Sequence, residues 1–269
     1  MADWDDEENT TTQKPGGEYA HKKVMRKVDE DEKLPFTIHL EELRWRMIYC
    51  AVTVFVVFIA LYAISDALFQ IVRKPIGTEL IFLAPAEAFF VYLKISIYTA
   101  IIVSIPMILY QVWEFVAPGL LDAERKYTGA FVIFGTLFFL IGAGFCYEIV
   151  LPLGLHFLIG YAGEGLTPMI SVGAYISFMF KLVLAFGAIF EMPIVIVFLA
   201  KMGIVNPASL REKRGYVVVG SFIVASILTP PDIFTQIIMA FPIIILFELS
   251  IIVAGFIVKK SPEDELKSE

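Results

Sequence analysis

Long apolar stretches separated by short polar segments run through the chain from residue 34 to residue 258. An α-helix of about 20 apolar residues crosses a hydrocarbon layer about 30 Å thick, and stretches near that length recur here. We place six spans at residues 47–64, 89–113, 127–151, 174–200, 214–228 and 233–258. The pattern predicts an all-α integral membrane protein with six transmembrane helices.

The segment before the first span has a different pattern. Phe36, Leu40, Leu43 and Met47 are separated by four, three and four residues, and the positions between them are largely polar. This spacing is typical of an amphipathic helix. We expect a helix over residues 34–46 that lies at the membrane surface and leads into the first span.

The two ends of the chain are polar and highly charged. Residues 1–33 contain ten Asp or Glu and six Lys or Arg with almost no apolar periodicity, so we expect a disordered acidic tail. This tail has neither the apolar centre of a secretory signal nor the acid-poor composition of a transit peptide, so no cleavage is predicted. Residues 259–269 form a second charged tail. The net charge of −7 lies largely in these ends and does not mark an acidic binding face.

The fifth and sixth spans are the least regular. The apolar part of the fifth, Tyr216–Leu228, has 13 residues, which reach only about 20 Å at about 1.5 Å per residue. Pro242 and Glu248 interrupt the sixth. We expect the fifth span to thin the membrane locally or to sit against longer neighbours, and our hypothesis is that the short fifth and sixth helices together thin the bilayer.

Composition supports a membrane protein, and charge predicts its orientation. Hydrophobic residues make up 58% and charged residues 18% of the chain, against about 25% charged residues in a soluble globular protein. An arrangement with both termini in the cytoplasm places 17 of the 21 Lys and Arg residues inside: eight before the first span, two in the loop after the second, four between 201 and 214, and three in the last tail. Since cytoplasmic loops are enriched in Lys and Arg, we expect both termini to be cytoplasmic.

The sequence contains no pattern typical of a catalytic or metal site. The three His residues, at 21, 39 and 156, are scattered, and no nucleophile, phosphate-loop or nucleotide motif is present. Cys50 and Cys146 lie inside apolar spans, and we expect them to be small buried residues. We predict no enzyme activity, metal, cofactor or nucleic-acid partner, so the informative side chains are carboxylates.

Two carboxylates, Glu42 and Glu124, are expected at the same cytoplasmic face. Each can bind a guanidinium group through paired, charge-assisted hydrogen bonds, so we interpret them as a receptor for a cationic peptide. Simpler roles stay open. With Asp122 as cap, Glu124 can stabilise the first turn of the third helix, and Glu42 can pair with Arg46 four residues on, for about 0.2–0.5 kcal/mol.

Glu191 lies inside the fourth span, two residues before Pro193. A carboxylate at that depth costs about 2.5–3.5 kcal/mol to insert, so it should face a polar cavity or partner, or hydrogen-bond a neighbouring helix. Lys94 and Lys181 also lie in spans, and we expect them to extend toward the outer face. Asp232 fits a cap of the sixth helix.

Tyr110, Trp113 and Phe115 fit an aromatic belt at the membrane–water interface. Phe115 has a second interpretation, as part of an apolar groove beside Glu124.

Four motifs occur in order along the chain: HLEELR at His39–Arg44, LYQVW at Leu109–Trp113 with Pro118 and Glu124–Arg125, FEMP at Phe190–Pro193, and LTPPD at Leu228–Asp232. Together they closely resemble the TatC family of twin-arginine translocase subunits, over residues 34–258. The resemblance implies a six-helix, concave, glove-like membrane protein of the prokaryotic inner membrane with cytoplasmic termini. It also implies a receptor for twin-arginine signal peptides. Such a receptor works with the single-span partners TatA and TatB in a multimeric translocase, which exports folded proteins using the proton-motive force.

By motif position, the resemblance assigns the signal-peptide site to Glu42, Glu124, Phe115 and Arg125, and an intramembrane polar pocket to Glu191. It assigns structural roles to Pro75, Pro118, Pro230, Pro231 and Asp232. The tail before residue 34 is longer than is usual in the family, and no function is assigned to it.

Two other functions are open. A proton-coupled small-molecule transporter could use Glu191 and Glu248 as a relay, and the spacing of Pro118 and Arg125 recurs at Pro207 and Arg214, as in an internal repeat. The register of the preceding prolines slips, however, and no other segment matches. A scaffold that only collects partner helices would tolerate Glu124→Gln.

Overall fold

The computed structural model describes residues 36–117, 128–160, 168–230 and 232–258. Helices account for most of these residues. They are α1 (Phe36–Tyr62), α2 (Ser65–Val72), α3 (Pro85–Val103), α4 (Ile105–Val116), α5 (Thr128–Phe145), α6 (Leu151–Gly160), α7 (Val172–Phe190), α8 (Met192–Lys201), α9 (Pro207–Glu212), α10 (Arg214–Leu228) and α11 (Ile233–Val258). A π-helical turn, Cys146–Val150, joins α5 to α6, and two short strands are β1 (Leu80–Ile81) and β2 (Ile170–Ser171).

Five helical segments in the described ranges are long and apolar enough to cross a membrane. They are His39–Tyr62, Pro85–Val103, Thr128–Gly160, Val172–Lys201 and Ile233–Ile257. At the place of the predicted fifth span, α10 is apolar but has only 15 residues, or about 22 Å at 1.5 Å per residue. The all-α membrane architecture agrees with the sequence, and the count of six spans stays a prediction.

The predicted amphipathic segment leads into the first span within one uninterrupted helix, α1. The third helical run continues past residue 151 to Gly160, since Pro152 falls in the first turn of α6, where its missing N–H is tolerated. The sixth helix has the predicted bounds, but the expectation that it is short enough to thin the bilayer is wrong. α11 runs through Pro242 for 26 residues, because neighbouring helices tolerate and support a proline within a span.

Two spans break beside a proline. α3 ends at Val103 and α4 begins at Ile105, with Pro106 in the first turn of α4. α7 ends and α8 begins around Glu191, two residues before Pro193. Proline lacks an N–H and crowds the preceding turn, so the regular ladder of helical hydrogen bonds is interrupted. Glu191 therefore occupies the break itself.

Glycines let α5 and α7 approach closely. A Cβ atom on Gly142 would lie 2.6 Å from Cγ of Phe190 and 2.7 Å from the carbonyl oxygen of Phe186. A Cβ on Gly187 would lie 2.6 Å from the ring of Phe139. Only glycine permits this spacing, and the close contact fixes the end of α7, and with it Glu191, against α5.

The main core lies where α3, the π turn, α6, α7 and α11 meet. Its most buried side chains include Ile95, Cys146, Leu151, Ile176, Phe186 and Met239. Cys146 is buried as expected, whereas Cys50 is only partly buried. The apolar side chains of α1 point outward, with Met47 63% and Phe55 60% exposed, so this helix presents an apolar surface suited to lipid or to another helix.

Polar contacts tie the starts of α3 and α7 together. β1 pairs in parallel with β2, with Leu80 opposite Ile170. The Glu87 carboxylate accepts hydrogen bonds from the Leu83 N–H at 2.6 Å, from the Gly173 N–H at 2.8 Å and from the Ser171 hydroxyl. The Glu87 carboxylate therefore connects the start of α3 to the start of α7.

The intramembrane lysines have partners on neighbouring helices. Lys94 Nζ on α3 donates to Ser177 Oγ on α7 at 3.0 Å, and Lys181 Nζ on α7 donates to the Ile227 carbonyl on α10. Ser177 lies near the start of α7 and Ile227 near the end of α10, and these are the helix ends predicted to face outward. Both lysine side chains therefore extend in the expected direction, and each also has a hydrogen-bond partner on the next helix.

Pro75 lies in a 3₁₀ turn, Lys74–Ile76, between α2 and β1. Gly77 ends this turn in the left-handed conformation, with φ of 64°, which glycine adopts without strain.

Candidate functional site

A polar cluster joins the N-terminal part of α1 to the C-terminal end of α4. Glu42 Oε1 accepts hydrogen bonds from Nε of Arg46, at 3.1 Å, and from Nη2 of the same guanidinium. Arg46 reaches across to α4, where Nη1 donates to Gln111 Oε1 at 3.3 Å and Nη2 lies 3.9 Å from Glu114 Oε2. The i,i+4 pair weighed from sequence is thus present, but it is part of a network between two helices.

Aromatic stacking closes one side of this cluster. The rings of His39 and Phe115 are nearly parallel, at 11°, with centroids 4.2 Å apart. His39 Nδ1 lies 3.7 Å from Glu42 Oε2. Phe115 therefore packs on the polar cluster, and its place in an interfacial belt stays a prediction.

The cluster is partly shielded and carries excess negative charge. The side chains of Arg46, Glu42 and Glu114 are 19%, 26% and 27% exposed. Among the described residues, the two carboxylates and the one guanidinium sum to −1. The neighbouring pair Glu41–Arg44 differs, because both of its side chains are 64% exposed. Shielding strengthens charge interactions at the cluster relative to such an exposed pair.

Trp113 anchors α4 beneath the cluster. Its ring stacks on Phe131 of α5 with centroids 4.6 Å apart and meets Phe198 of α8 edge-on at 4.5 Å. Only 9% of Trp113 is exposed, so its assignment to the belt is wrong, whereas Tyr110 is 44% exposed and fits a belt position. The packing of α4 against α5 and α8 holds Glu114 and Phe115 in place.

Glu191 lies against the middle of α5. A Cβ atom on Gly135 would be 3.1 Å from Glu191 Oε2 and 3.0 Å from Cδ1 of Leu109. Glu191 Oε1 is buried and has no hydrogen-bond partner among the described residues. Ser104 Oγ is the other buried side-chain oxygen without a partner among the described residues, and burying a carboxylate oxygen in this way costs more than burying a hydroxyl.

α4 adjoins both polar sites. Leu109 borders the Gly135–Glu191 contact, and Glu114 belongs to the polar cluster. Five residues of helix separate them, which is about 8 Å along the axis. The two sites are therefore neighbours along one helix rather than isolated features.

Comparisons with known proteins identify the family. Residues 38–242 match the family model for TatC, the Sec-independent protein translocase protein. The chain is 41% identical over 242 residues to the TatC protein of Desulforapulum autotrophicum, covering 88% of this chain and 90% of that protein. It is 39% identical over 237 residues to the TatC protein of Aquifex aeolicus, covering 86% and 98%. The chain belongs to the TatC family.

The fold agrees with solved TatC structures. A crystal structure of the twin-arginine translocase receptor TatC superposes with a TM-score of 0.73 and 39% identity, covering 81% of this chain and 98% of that one. The predicted all-α membrane fold of the TatC family is confirmed. This TatC chain is a multi-pass inner-membrane protein and a component of the Sec-independent translocase. It works within the Tat system and is not an enzyme. The comparisons support this function over the transporter alternative.

Several residues assigned from sequence lie outside the described residues, namely Pro118, Glu124, Arg125 and Pro231. Asp232 is described, and its Oδ1 accepts a hydrogen bond from the Thr235 N–H at 2.7 Å, as expected for a cap at the start of α11. Pro230 precedes it in the turn from α10, with its carbonyl accepting from the Asp232 N–H at 2.8 Å.

Sequence reasoning missed Gln111 and Glu114 as members of the cluster. Their spacing of three residues on α4 places both on one face of that helix, which was an available signal. Glu248, a candidate for the proton relay of the transporter alternative, forms an ion pair with Arg214 of α10 at 2.6 Å. This pair connects α10 to α11 and leaves Glu248 neutralised by a guanidinium.

Proposed function

We propose that this TatC chain is the receptor for twin-arginine signal peptides of folded substrates, and that the peptide's arginines bind at the α1–α4 cluster. The observation that carries the proposal is the shielded carboxylate pair Glu42 and Glu114, which a single guanidinium, Arg46, only partly neutralises. Glu124 and Arg125, which follow α4 in the chain, complete the site. Both termini lie in the cytoplasm, as the distribution of Lys and Arg favours.

In the absence of peptide, Arg46 occupies the carboxylate that a peptide arginine would bind. Its guanidinium uses Oε1 of Glu42, while Oε2 has only the 3.7 Å contact to His39. An incoming guanidinium binds at the Oε2 side or takes the place of Arg46, which then keeps Gln111 and Glu114 as partners. Arginine suits this exchange better than lysine because its planar fork matches a carboxylate.

The apolar part of the peptide follows α4 toward Glu191. Leu109, which borders the Glu191 site, and Glu114, in the polar cluster, are about 8 Å apart along the axis of α4, so a short peptide can contact both sites. The single-span partners TatA and TatB join at this intramembrane site, and the proton-motive force drives transport. The thinning predicted for the fifth and sixth spans is limited to α10, whose 15 residues fall short of a hydrocarbon layer about 30 Å thick.

The decisive experiment compares two adjacent carboxylates. Glu42→Gln removes a charge that the peptide contacts, and Glu41→Gln removes one that is 64% exposed and paired with Arg44. A hydrogen bond to a charged group contributes about 1.5–3 kcal/mol, so Glu42→Gln should weaken binding of an Arg-Arg peptide by about 10-fold to 150-fold. Glu41→Gln should change the affinity less than twofold.

Binding is measured by fluorescence anisotropy of labelled Arg-Arg and Lys-Lys peptides on the protein in nanodiscs. Glu124→Ala should also abolish Arg-Arg binding, and Glu191→Ala should spare this docking while impairing transport. Equal losses from Glu41→Gln and Glu42→Gln would show that the peptide senses only the general surface charge, and the assigned site would be wrong.

A further inference from the structure

A cleft of about 490 Å³ lies where the C-terminal ends of α8 and α11 meet α9. Its walls include Ala200, Val205, Arg211, Ile252, Gly255 and Phe256. The volume falls within the range of about 300–1,000 Å³ that is usual for small-molecule sites. None of these residues belongs to the α1–α4 cluster or to the Glu191 site.

The cleft combines one polar and one apolar side. Arg211 on α9 supplies a cation, while Ile252 and Phe256 on α11 supply an apolar wall, with Phe256 73% exposed. α8 and α11 both end here after crossing the membrane. The cleft therefore sits at the level where the hydrocarbon layer gives way to lipid headgroups.

Arg211 is the charged side chain that lines the cleft. Among the described residues it has no hydrogen bond and no carboxylate within 4.0 Å, whereas Arg214, three residues on, is neutralised by Glu248 at 2.6 Å. The segment 201–214 contains four basic residues and one acidic residue. The local field therefore favours an anion.

We propose that this cleft binds an anionic phospholipid, with the phosphate on Arg211 and an acyl chain along Ile252 and Phe256. A guanidinium binds phosphate oxygens through paired, charge-assisted hydrogen bonds. Basic pockets between membrane helices at the headgroup level are suited to anionic lipids. A free phosphate would leave the apolar wall uncovered, so the chemistry of the cleft favours an amphiphile. This inference does not depend on which peptide the receptor binds.

Gly255 provides a way to close the cleft without disturbing the fold. A Cβ atom on Gly255 would meet nothing within 4 Å, so a larger side chain can extend into the cleft. Gly255→Leu should fill the space that the acyl chain occupies, and Arg211→Gln should remove the headgroup contact. Lys213→Gln is the matched control, because Lys213 is an exposed cation that does not line the cleft.

The test uses the full chain in a neutral detergent and native mass spectrometry with added lipid. Phosphatidylglycerol should remain bound with at least fivefold preference over phosphatidylcholine of the same acyl chains. Arg211→Gln should lower the affinity for phosphatidylglycerol about fivefold, which is the contribution of one basic residue near an anionic lipid surface. Gly255→Leu should lower binding of both lipids, and Lys213→Gln should leave binding unchanged.

Three results would overturn the proposal. They are equal retention of the two lipids, undiminished phosphatidylglycerol binding by both Arg211→Gln and Gly255→Leu, and displacement of the lipid by millimolar inorganic phosphate. The last would mark a general anion site. The melting temperature of each variant, measured without lipid, separates loss of binding from loss of folding.

Discussion

Arg46→Gln tests whether the receptor holds its own arginine in the place of a peptide arginine. In the resting protein, Arg46 neutralises Glu42 through two hydrogen bonds and is only 19% exposed. A peptide arginine that binds the same carboxylate would meet the charge of Arg46 at close range. Removing that charge should therefore tighten peptide binding.

The size of the effect follows from Coulomb's law. Two guanidinium groups on opposite sides of one carboxylate lie about 6 Å apart, and at an effective dielectric constant of about 20 they repel by about 3 kcal/mol. At physiological salt the Debye length is about 8 Å, which roughly halves the repulsion to about 1.4 kcal/mol. Since about 1.4 kcal/mol is tenfold in affinity, Arg46→Gln should bind an Arg-Arg peptide about tenfold more tightly.

The assay is peptide anisotropy at two salt concentrations. At about 10 mM salt the Debye length grows to about 30 Å, so the gain should be several-fold larger than at 0.15 M. Arg44→Gln is the matched control, because Arg44 is 64% exposed and contacts Glu41 instead. Its affinity should change less than twofold.

Weaker binding by Arg46→Gln would refute this reasoning. It would mean that Arg46 holds Glu42 in a binding-competent position and that this positioning outweighs repulsion. A gain that does not depend on salt would also refute it, because electrostatic repulsion between partly exposed groups must be screened.

Two further predictions concern the scaffold. Gly142→Ala should lower the stability of the detergent-solubilised protein by about 1–3 kcal/mol, because the added Cβ would press on Phe190. The control Gly144→Ala should be neutral or slightly stabilising, because a Cβ there meets nothing within 4 Å. Equal melting temperatures of the two variants would contradict the close packing. Glu87→Gln should lower the free energy of local opening at the starts of α3 and α7 by at least about 1 kcal/mol, since a charged hydrogen-bond acceptor is lost. The amide hydrogen of Gly173 should then exchange faster. Unchanged exchange would count against the bridge.

Much of the candidate site was predictable because its residues carry a cost that the sequence makes visible. A carboxylate such as Glu191 inside an apolar stretch costs free energy to insert in any fold, so it indicates a polar cavity or partner. Glu42 was predictable because the preceding amphipathic spacing and the charge distribution place it at one membrane face. The partners of these groups were not predictable. From sequence, Arg46 could pair with Glu42 on its own helix or with Gln111 on α4. It contacts both, because α4 packs close to α1.

Membrane character and the approximate spans can be predicted from the residues alone, because hydropathy over about 20 residues is a local property. The motifs that resemble the TatC family are likewise visible in the residues alone. The contacts between side chains are visible only in the folded chain. Phe115 stacks on His39, Trp113 is buried between helices, and Arg211 lines an open cleft. The physical reason is that apolar residues suit lipid and protein interior equally well. Hydropathy therefore cannot say which face of a span meets another helix, and only close packing between helices, allowed by small residues, settles it.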